Sequence, residues 1–185
     1  VTLLFSAEQY VAASGAYLCG IERRIAAGLN PVVESVASVF ISRWDVAVAS
    51  KVPEYLKGEL GIAIADRTYE RYQRMLNSPR WQRAANFGTH VQRLLWASTG
   101  TKDPKLPETY YVSALAAPFT INTMPEKTLI AFGDSGEATE TISREQSEGE
   151  GVIAEFELAG IDIAKLGAEL QDEGARATLQ KPIAS

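Results

Sequence analysis

The sequence predicts an α/β fold built on a parallel sheet. Three observations carry this: short β-branched or aliphatic runs recur along the chain, each is followed by a helical pattern, and the strand-then-helix order comes four times in succession. The 185 residues, 46% hydrophobic and 22% charged, fit one soluble globular domain and exclude disorder or a collagen-like repeat. A closed barrel of alternating strands and helices usually needs about 250 residues. The chain is therefore short for the pattern it carries.

Residues 1–5 (VTLLF) form the first apolar run. Ser6 with Gln9 three residues on is a capping box, opening a helix that runs to about Gly28. Residues 35–42 (SVASVFIS) are the second strand, followed by a loop and a long helical pattern from Pro53 to about Leu76. Residues 93–97 (RLLWA) are the third, followed by the loop STGTKDPKLP and a short helix around 108–116. Residues 119–122 (FTIN) are the fourth, with Pro125 opening another helix. A polar, acidic stretch follows Gly133, and helical pattern resumes over about 152–179 with a break at Gly160. Strand–helix units thus occupy 1–134, and 135–185 reads as an acidic linker with helices that form a solvated covering layer.

Lys and Arg number 18 against 23 Asp and Glu, a net charge of -5 that provides no drive toward nucleic acid or an anionic membrane. A small-molecule partner is expected. One cysteine, Cys19, and one histidine, His90, cannot supply the usual zinc ligands or a disulfide framework, which fits a reducing, cytoplasmic setting. No apolar run reaches the roughly 20 residues that cross a bilayer. The opening VTLLFSAEQY lacks Met and a basic leader and reads as a strand cut in its middle, so upstream sequence is expected.

Alternation along a strand sends successive side chains to opposite faces. It places Thr2, Leu4 and Ser6 on one side of the first strand and Val1, Leu3 and Phe5 on the other. In the second, Ser38, Phe40 and Ser42 share a side, and Val39 and Ile41 suit covering helices. A buried hydroxyl without a partner costs about 1 to 3 kcal/mol, so this polar face, taken as the inward one with Leu4 and Phe40, suits a wet active-site mouth. Beyond the strand ends come Arg43 and the segment Ser98, Thr99, Gly100, Thr101, Lys102. Carboxyl ends of parallel strands are where such folds bind substrate and phosphate, and these residues provide a donor fork, a point charge and close backbone N–H groups. The blander reading of Arg43 is an ion pair with Asp45 or a nearby carboxylate.

Other residues have structural readings. His90, Ser98 and Asp103 lack the G-x-S-x-G elbow of a hydrolase, leaving His90 as a loop residue beside a strand. Cys19, among Ala16, Leu18 and Ile21, reads as a buried thiol. Arg71, Arg74, Arg80 and Arg83, interleaved with Tyr69, Tyr72 and Trp81, read as a solvated helix face with apolar anchors. Trp96 and residues 109–112 (TYYV) read as core.

VTLLFS with the tyrosine-bearing helix and GIERRIAAG after it, then SVASVFISRWD, RLLWASTGTKD and TINTMPEKTL, in that order, resemble the carboxyl-terminal half of a transaldolase of the subgroup with a WASTGTK segment. The resemblance spans most of the chain. It implies that residues 1–185 are the C-terminal part of a single barrel domain, the C-terminal half of a (β/α)8 TIM-type barrel. It implies Schiff-base transfer of a dihydroxyacetone unit from a ketose phosphate, such as sedoheptulose 7-phosphate or fructose 6-phosphate, to an aldose phosphate in the pentose phosphate pathway, without metal or organic cofactor.

By the same resemblance, Thr2 matches the strand threonine that helps position the catalytic water. Ser38 and Arg43 match residues lining the sugar-phosphate site, with Phe40 an aromatic at its mouth. Ser98 matches a hydroxyl at the next strand end, and Lys102 falls near an arginine of the wider family. The family's Schiff-base lysine and its acidic partners lie upstream of Val1. A Schiff-base lysine needs a desolvated pocket, and Lys51, Lys57, Lys102, Lys105, Lys127, Lys165 and Lys181 all fall outside the strand runs. The chain alone is therefore expected to be inactive, and to pair with the missing N-terminal half or with itself. The alternative is a catalytically silent half-barrel that serves as a binding or assembly module.

Overall fold

The computed structural model describes residues 1–135 and 148–179. Strands β1 (Ser35–Phe40), β2 (Gln92–Ala97) and β3 (Thr120–Asn122) form a parallel sheet in chain order. Helices α1 (Ala7–Ala26), α2 (Ser42–Val48), α3 (Glu59–Leu76), α4 (Pro79–Ala85), α5 (Tyr110–Ala114), α6 (Glu126–Ser135), α7 (Gly149–Leu158) and α8 (Ile163–Leu179) surround it. The result is a mixed α/β fold whose parallel strands are joined by helical crossovers. The acidic linker expected after Gly133 falls mostly at 136–147, outside the described residues, as do 180–185 with Lys181.

Residues 1–5 run beside β1 but make only one bridge, Leu4 to Val39. Leu3 is the reason. Its φ of 59° is left-handed, and the carbonyls that accept from Ser38 N and Phe40 N are those of Val1 and Leu4, three residues apart instead of two. The extra residue is a bulge, and a bulge reverses the alternation that follows it. Leu4 consequently does not share the face of Phe40. It packs with Val39, Ile41, Tyr10, Tyr69, Leu94 and Trp96 beneath the helices, whereas Phe5 stacks at 5.4 Å on Phe40. The inward position expected for Leu4 is overturned. Ser6 turns away as the N-cap of α1, its hydroxyl accepting from Gln9 N and the Gln9 side chain accepting from Ser6 N.

Elsewhere β1 alternates as expected: Ala37 and Val39 are fully buried under helices, and Val36, Ser38 and Phe40 are half-buried on the other face. Register aligns Ser38 with Leu95 and Phe40 with Ala97. One face of the sheet is thus sealed by helices, and the other is partly covered, with Phe40 packed against a core that includes residues of α7 and α8.

The stretch after β1, expected as a loop, is helix α2, for which neither a capping side chain nor apolar periodicity gave a signal. The long helix begins at Glu59, not Pro53, because Pro53 leads into a single 3-10 turn (Glu54–Leu56) and Gly58 takes a φ of 86°. Ser78 and Pro79 cap and open α4. The expected break near Gly160 separates α7 from α8. These last helices are less solvated than a mere outer layer: Ile153 and Phe156 are fully buried in a core shared with Phe5, Trp44 and Leu60. Arg67 grips Glu150 through two 2.6 Å bonds, tying α3 to α7.

Trp96, Tyr111 and Val112 are core, as expected. Arg74 pairs with Glu70 and Arg80 with Glu22 while Tyr69 and Tyr72 are buried, the solvated face with apolar anchors. Cys19 is a correction: it is exposed, accepting from Arg80 at 3.1 Å, because α1 buries the stripe of Tyr10, Ser14, Leu18 and Ile21 and Cys19 lies off it.

Leu4→Ala should lower stability by about 2 to 5 kcal/mol, and Thr2→Ala, at an exposed position, by about 0.5 kcal/mol at most. Urea unfolding of both variants checks this; equal small effects would put Leu4 back on the open face.

Candidate functional site

The carboxyl ends of the three strands are joined by side-chain hydroxyls. Ser42 and Ser98 share a hydrogen bond of 2.9 Å between their hydroxyls, and Ser42 N donates to Ser98 O at 3.0 Å. One strand further, Thr99 donates to Asn122 Oδ1 at 2.8 Å and Thr123 donates to Trp96 O at 3.1 Å. Trp96 O, which already accepts from Thr123 N at 3.0 Å, takes the Thr123 hydroxyl as a second donor, and the Thr99 hydroxyl also lies 3.0 Å from Thr123 O. Ser98 has a φ of 57°, a conformation disfavoured for a residue with a Cβ and one that needs surrounding structure to hold it.

Arg43 lies in the first turn of α2, directly after the end of β1. Its guanidinium stands 5.2 Å over the Phe40 ring and 6.0 Å from that of Phe5. Such a cation on an aromatic face gains about 0.5 to 2 kcal/mol without using its hydrogen-bond donors. Helix α8 closes over the same spot, where a Cβ on Gly174 would stand 3.5 Å from an Arg43 nitrogen. Gln171 of α8 donates to Leu3 O, and the Trp44 indole donates to Phe5 O, so the bulge, α2 and α8 hold one another.

The expected pair of Arg43 with Asp45 is not formed. Asp45 points the opposite way, into the interior, where its carboxylate accepts from Leu60 N at 3.0 Å, Gly61 N at 3.1 Å and the Tyr111 hydroxyl at 2.7 Å. Among the described residues no carboxylate forms an ion pair with Arg43. Among the described residues its N–H groups meet the aromatic rings and no side-chain acceptor.

Burial pushes the Asp45 carboxyl up to about 6, against the three hydrogen bonds, which pull it down. Tyr111 is raised by its own burial and then by the Asp45 charge. Gly61 is obligatory beside them: a Cβ there would come within 2.6 Å of Asp45 Oδ2. A cavity of about 320 Å³ opens next to this group, lined by Ser42, Asp45, Tyr111, Lys57 and Lys102 among others.

Of the residues singled out from sequence, Phe40 and Arg43 touch, Ser38 shares the face of Phe40 in β1, and Ser98 meets Ser42. Lys102 is exposed on the cavity rim, and Thr2 is exposed before the bulge with no side-chain hydrogen bond among the described residues. Ser42, Asp45 and Tyr111 were not anticipated as a group; the acid inside the apolar run WDVAV was the one available signal. His90 pairs with Glu34 at the amino ends of the strands. The full length of β2 separates it from Ser98, so no triad forms. The described lysines, all outside the strands, are half-buried or exposed. The arrangement is therefore rich in donors for an anion.

A family model described as Transaldolase/Fructose-6-phosphate aldolase matches residues 1–181. The chain belongs to this family. It is 43% identical over 185 residues to a transaldolase of Parafrankia sp. (strain EAN1pec), an alignment covering 95% of this chain and 50% of that protein. Against a transaldolase of Neisseria meningitidis serogroup C (serotype 2a, strain FAM18) it is 41% identical over 177 residues, again 95% of this chain and 50% of the other. A transaldolase of Renibacterium salmoninarum is 41% identical over 194 residues, with 100% and 51% covered. The chain spans about half the length of the curated relatives it matches. No helix of the described residues is long and apolar enough to cross a membrane.

Because the native Asp45 holds its proton to higher pH than an unfolded carboxyl does, ionisation works against the fold. Stability should fall as pH rises from about 4, the ordinary carboxylate value, through about 6. Asp45→Asn should flatten that part of the curve, read as urea midpoints against pH; parallel curves would show that Asp45 titrates normally.

Proposed function

We propose that this chain supplies the sugar-phosphate side of a transaldolase-type active site, as the C-terminal four strand–helix units of a single (β/α)8 barrel domain over 1–185. The complete protein would transfer a dihydroxyacetone unit from a ketose phosphate to an aldose phosphate, as a transferase of the pentose phosphate pathway in the cytoplasm. The observation that carries the reading is Arg43. It stands at a strand's carboxyl end, backed by Phe40 and Phe5, with no carboxylate partner among the described residues. A guanidinium held this way is suited to the forked oxygens of a phosphate.

In this reading Arg43 grips the substrate phosphate, with Ser38, Ser98 and Lys102 adding hydrogen bonds and charge and Phe40 forming the wall behind it. Thr2 positions the water that carries protons during Schiff-base chemistry. The nucleophilic lysine comes from a strand outside this chain. The described lysines are all half-buried or exposed, whereas a Schiff-base lysine sits in a desolvated pocket.

The remaining strands of the barrel are the partner we propose for the two sheet edges, residues 1–5 and β3, whether in the same protein or a separate chain; self-pairing would serve the same physical need. Among the described residues each of these segments has a strand neighbour on one side only, and open edges invite pairing.

In the complete protein, Arg43→Ala should raise KM for fructose 6-phosphate about 10- to 100-fold, the value of a charge-assisted contact, and affect unphosphorylated dihydroxyacetone little. Equal losses on both would sink the assignment. Thr2→Ala should lower kcat more than it raises KM, and an unchanged kcat would return Thr2 to a plain strand residue. Borohydride with fructose 6-phosphate should trap no adduct on residues 1–185 alone and should trap one when the upstream half is added. Trapping on the isolated chain would overturn the division of labour.

A further inference from the structure

Two loops carry the donors assigned above, and they come from different strand–helix units. Arg43 lies on α2 after β1, while Ser98 and Lys102 lie in the segment between β2 and α5. The Ser42–Ser98 bond joins the loops at their roots. Further out they meet at one buried group. The Asp45 carboxylate, two residues from Arg43 on the same short helix, receives the first turn of α3 through Leu60 N and Gly61 N, and α5 through the Tyr111 hydroxyl. Helix α2 is 7 residues long and without a side-chain cap; Ser42 and Trp44 tie it to Ser98 and Phe5, and the Asp45 bonds are what tie it to α3 and α5.

We propose that Asp45 is a positioning residue for phosphate recognition, its carboxylate locking α2 against α3 and α5 so that Arg43 and the Ser98–Lys102 segment face one ligand together. The proposal rests on the reading that Arg43 grips substrate phosphate. It adds a residue that touches no substrate and acts through backbone placement. An ionised carboxylate can accept all three donors at once, and an amide in its place would turn an N–H toward one of them. Misplacing a binding group by about 1 Å can cost as much as 100-fold in rate, so a clamp at the base of the loop matters to the chemistry above it.

The clamp is also sensitive to protons. The charged or titratable groups around Asp45 are Glu59 on α3, Tyr110 and Tyr111 on α5, and Lys57, Lys102 and Asp103 at the neighbouring cavity. Burial dominates these and places ionisation near neutrality, while the Tyr111 bond favours the charged form. Removing that hydroxyl should move ionisation of Asp45 upward. A sugar phosphate has its own second ionisation at about 6, but that one is the same for every variant.

The test uses the complete enzyme and three variants: Tyr111→Phe, Asp45→Asn and Arg43→Ala. Steady-state kinetics are run with fructose 6-phosphate and with unphosphorylated dihydroxyacetone across pH 5 to 9, the span about these ionisations, and inorganic phosphate serves as competitive inhibitor. Tyr111→Phe should raise KM for fructose 6-phosphate and Ki for inorganic phosphate about 3- to 10-fold, the worth of one hydrogen bond. Its kcat/KM for dihydroxyacetone should change less than about 2-fold. The acid limb of the KM profile should shift to higher pH than in the parent enzyme, which a phosphate ionisation alone cannot do. Asp45→Asn should show the same selectivity with no acid limb beyond that of the phosphate, and it decides the matter if Tyr111→Phe does not fold. Equal effects on both substrates, or an unshifted profile, would reduce Asp45 to a structural residue and overturn the inference. If Arg43→Ala is phosphate-selective while the clamp variants are not, this inference alone fails. If Arg43→Ala is not selective, the assignment of the phosphate site falls and this inference falls with it.

Discussion

The buried carboxylate of Asp45 is the constraint around which the carboxyl end of the sheet is arranged. Taking a carboxylate out of water is costly, and three hydrogen bonds only partly offset it, as its upward shift to about 6 attests. A chain that keeps such a group must derive something from its directionality. A leucine of similar size would remove the desolvation cost but would leave Leu60 N, Gly61 N and the Tyr111 hydroxyl to find other partners. Gly61 makes the same point from the other side, since any side chain there would collide with the carboxylate. The clamp needs both residues together.

The same directional principle governs the strand ends. Parallel strands present carbonyls and amides at their carboxyl ends that helices cannot all reach. Here Ser42, Ser98, Thr99 and Thr123 bind each other and the backbone. This lacing keeps the loops close to the sheet, and in the Ser42–Ser98 pair the accepting hydroxyl keeps its own proton to donate. Arg43 is treated differently, resting on aromatic rings that ask nothing of its N–H groups. Among the described residues its guanidinium has no carboxylate partner, which is what the proposed phosphate contact would use.

How much of this is legible in sequence depends on range. Strand runs rich in Val and Ile, the Ser6–Gln9 box and the break at Gly160 are local signals, and the elements follow them closely. The parity of β1 holds because no residue interrupts its alternation. That of residues 1–5 fails because a left-handed Leu3 inserts a bulge, and Leu is the kind of residue that hides such a conformation from a reading based on glycine. Cys19 is exposed because its apolar neighbours along the chain are not its neighbours around the helix. For the site, Arg43, Phe40 and Ser98 stand out by position at strand ends. Asp45 and Tyr111 do not, because 66 residues separate them and the bond between them exists only once the sheet has formed.

Helix α8 connects these local lessons. The bulge at Leu3 frees a carbonyl that the ladder would otherwise use, and Gln171 supplies its donor. The bulge also turns Phe5 onto the face of Phe40, which completes the aromatic seat of Arg43. Without the bulge, Leu4 would be the residue on that face and Phe5 would lie beneath the helices. The guanidinium would then lose one of its two rings, and α8 its anchoring carbonyl. One inserted residue near the start of the chain thereby sets how the last described helix lies over the site. The irregular backbone at Leu3 is thus part of how the carboxyl end of the sheet is built, as much as the side chains placed there.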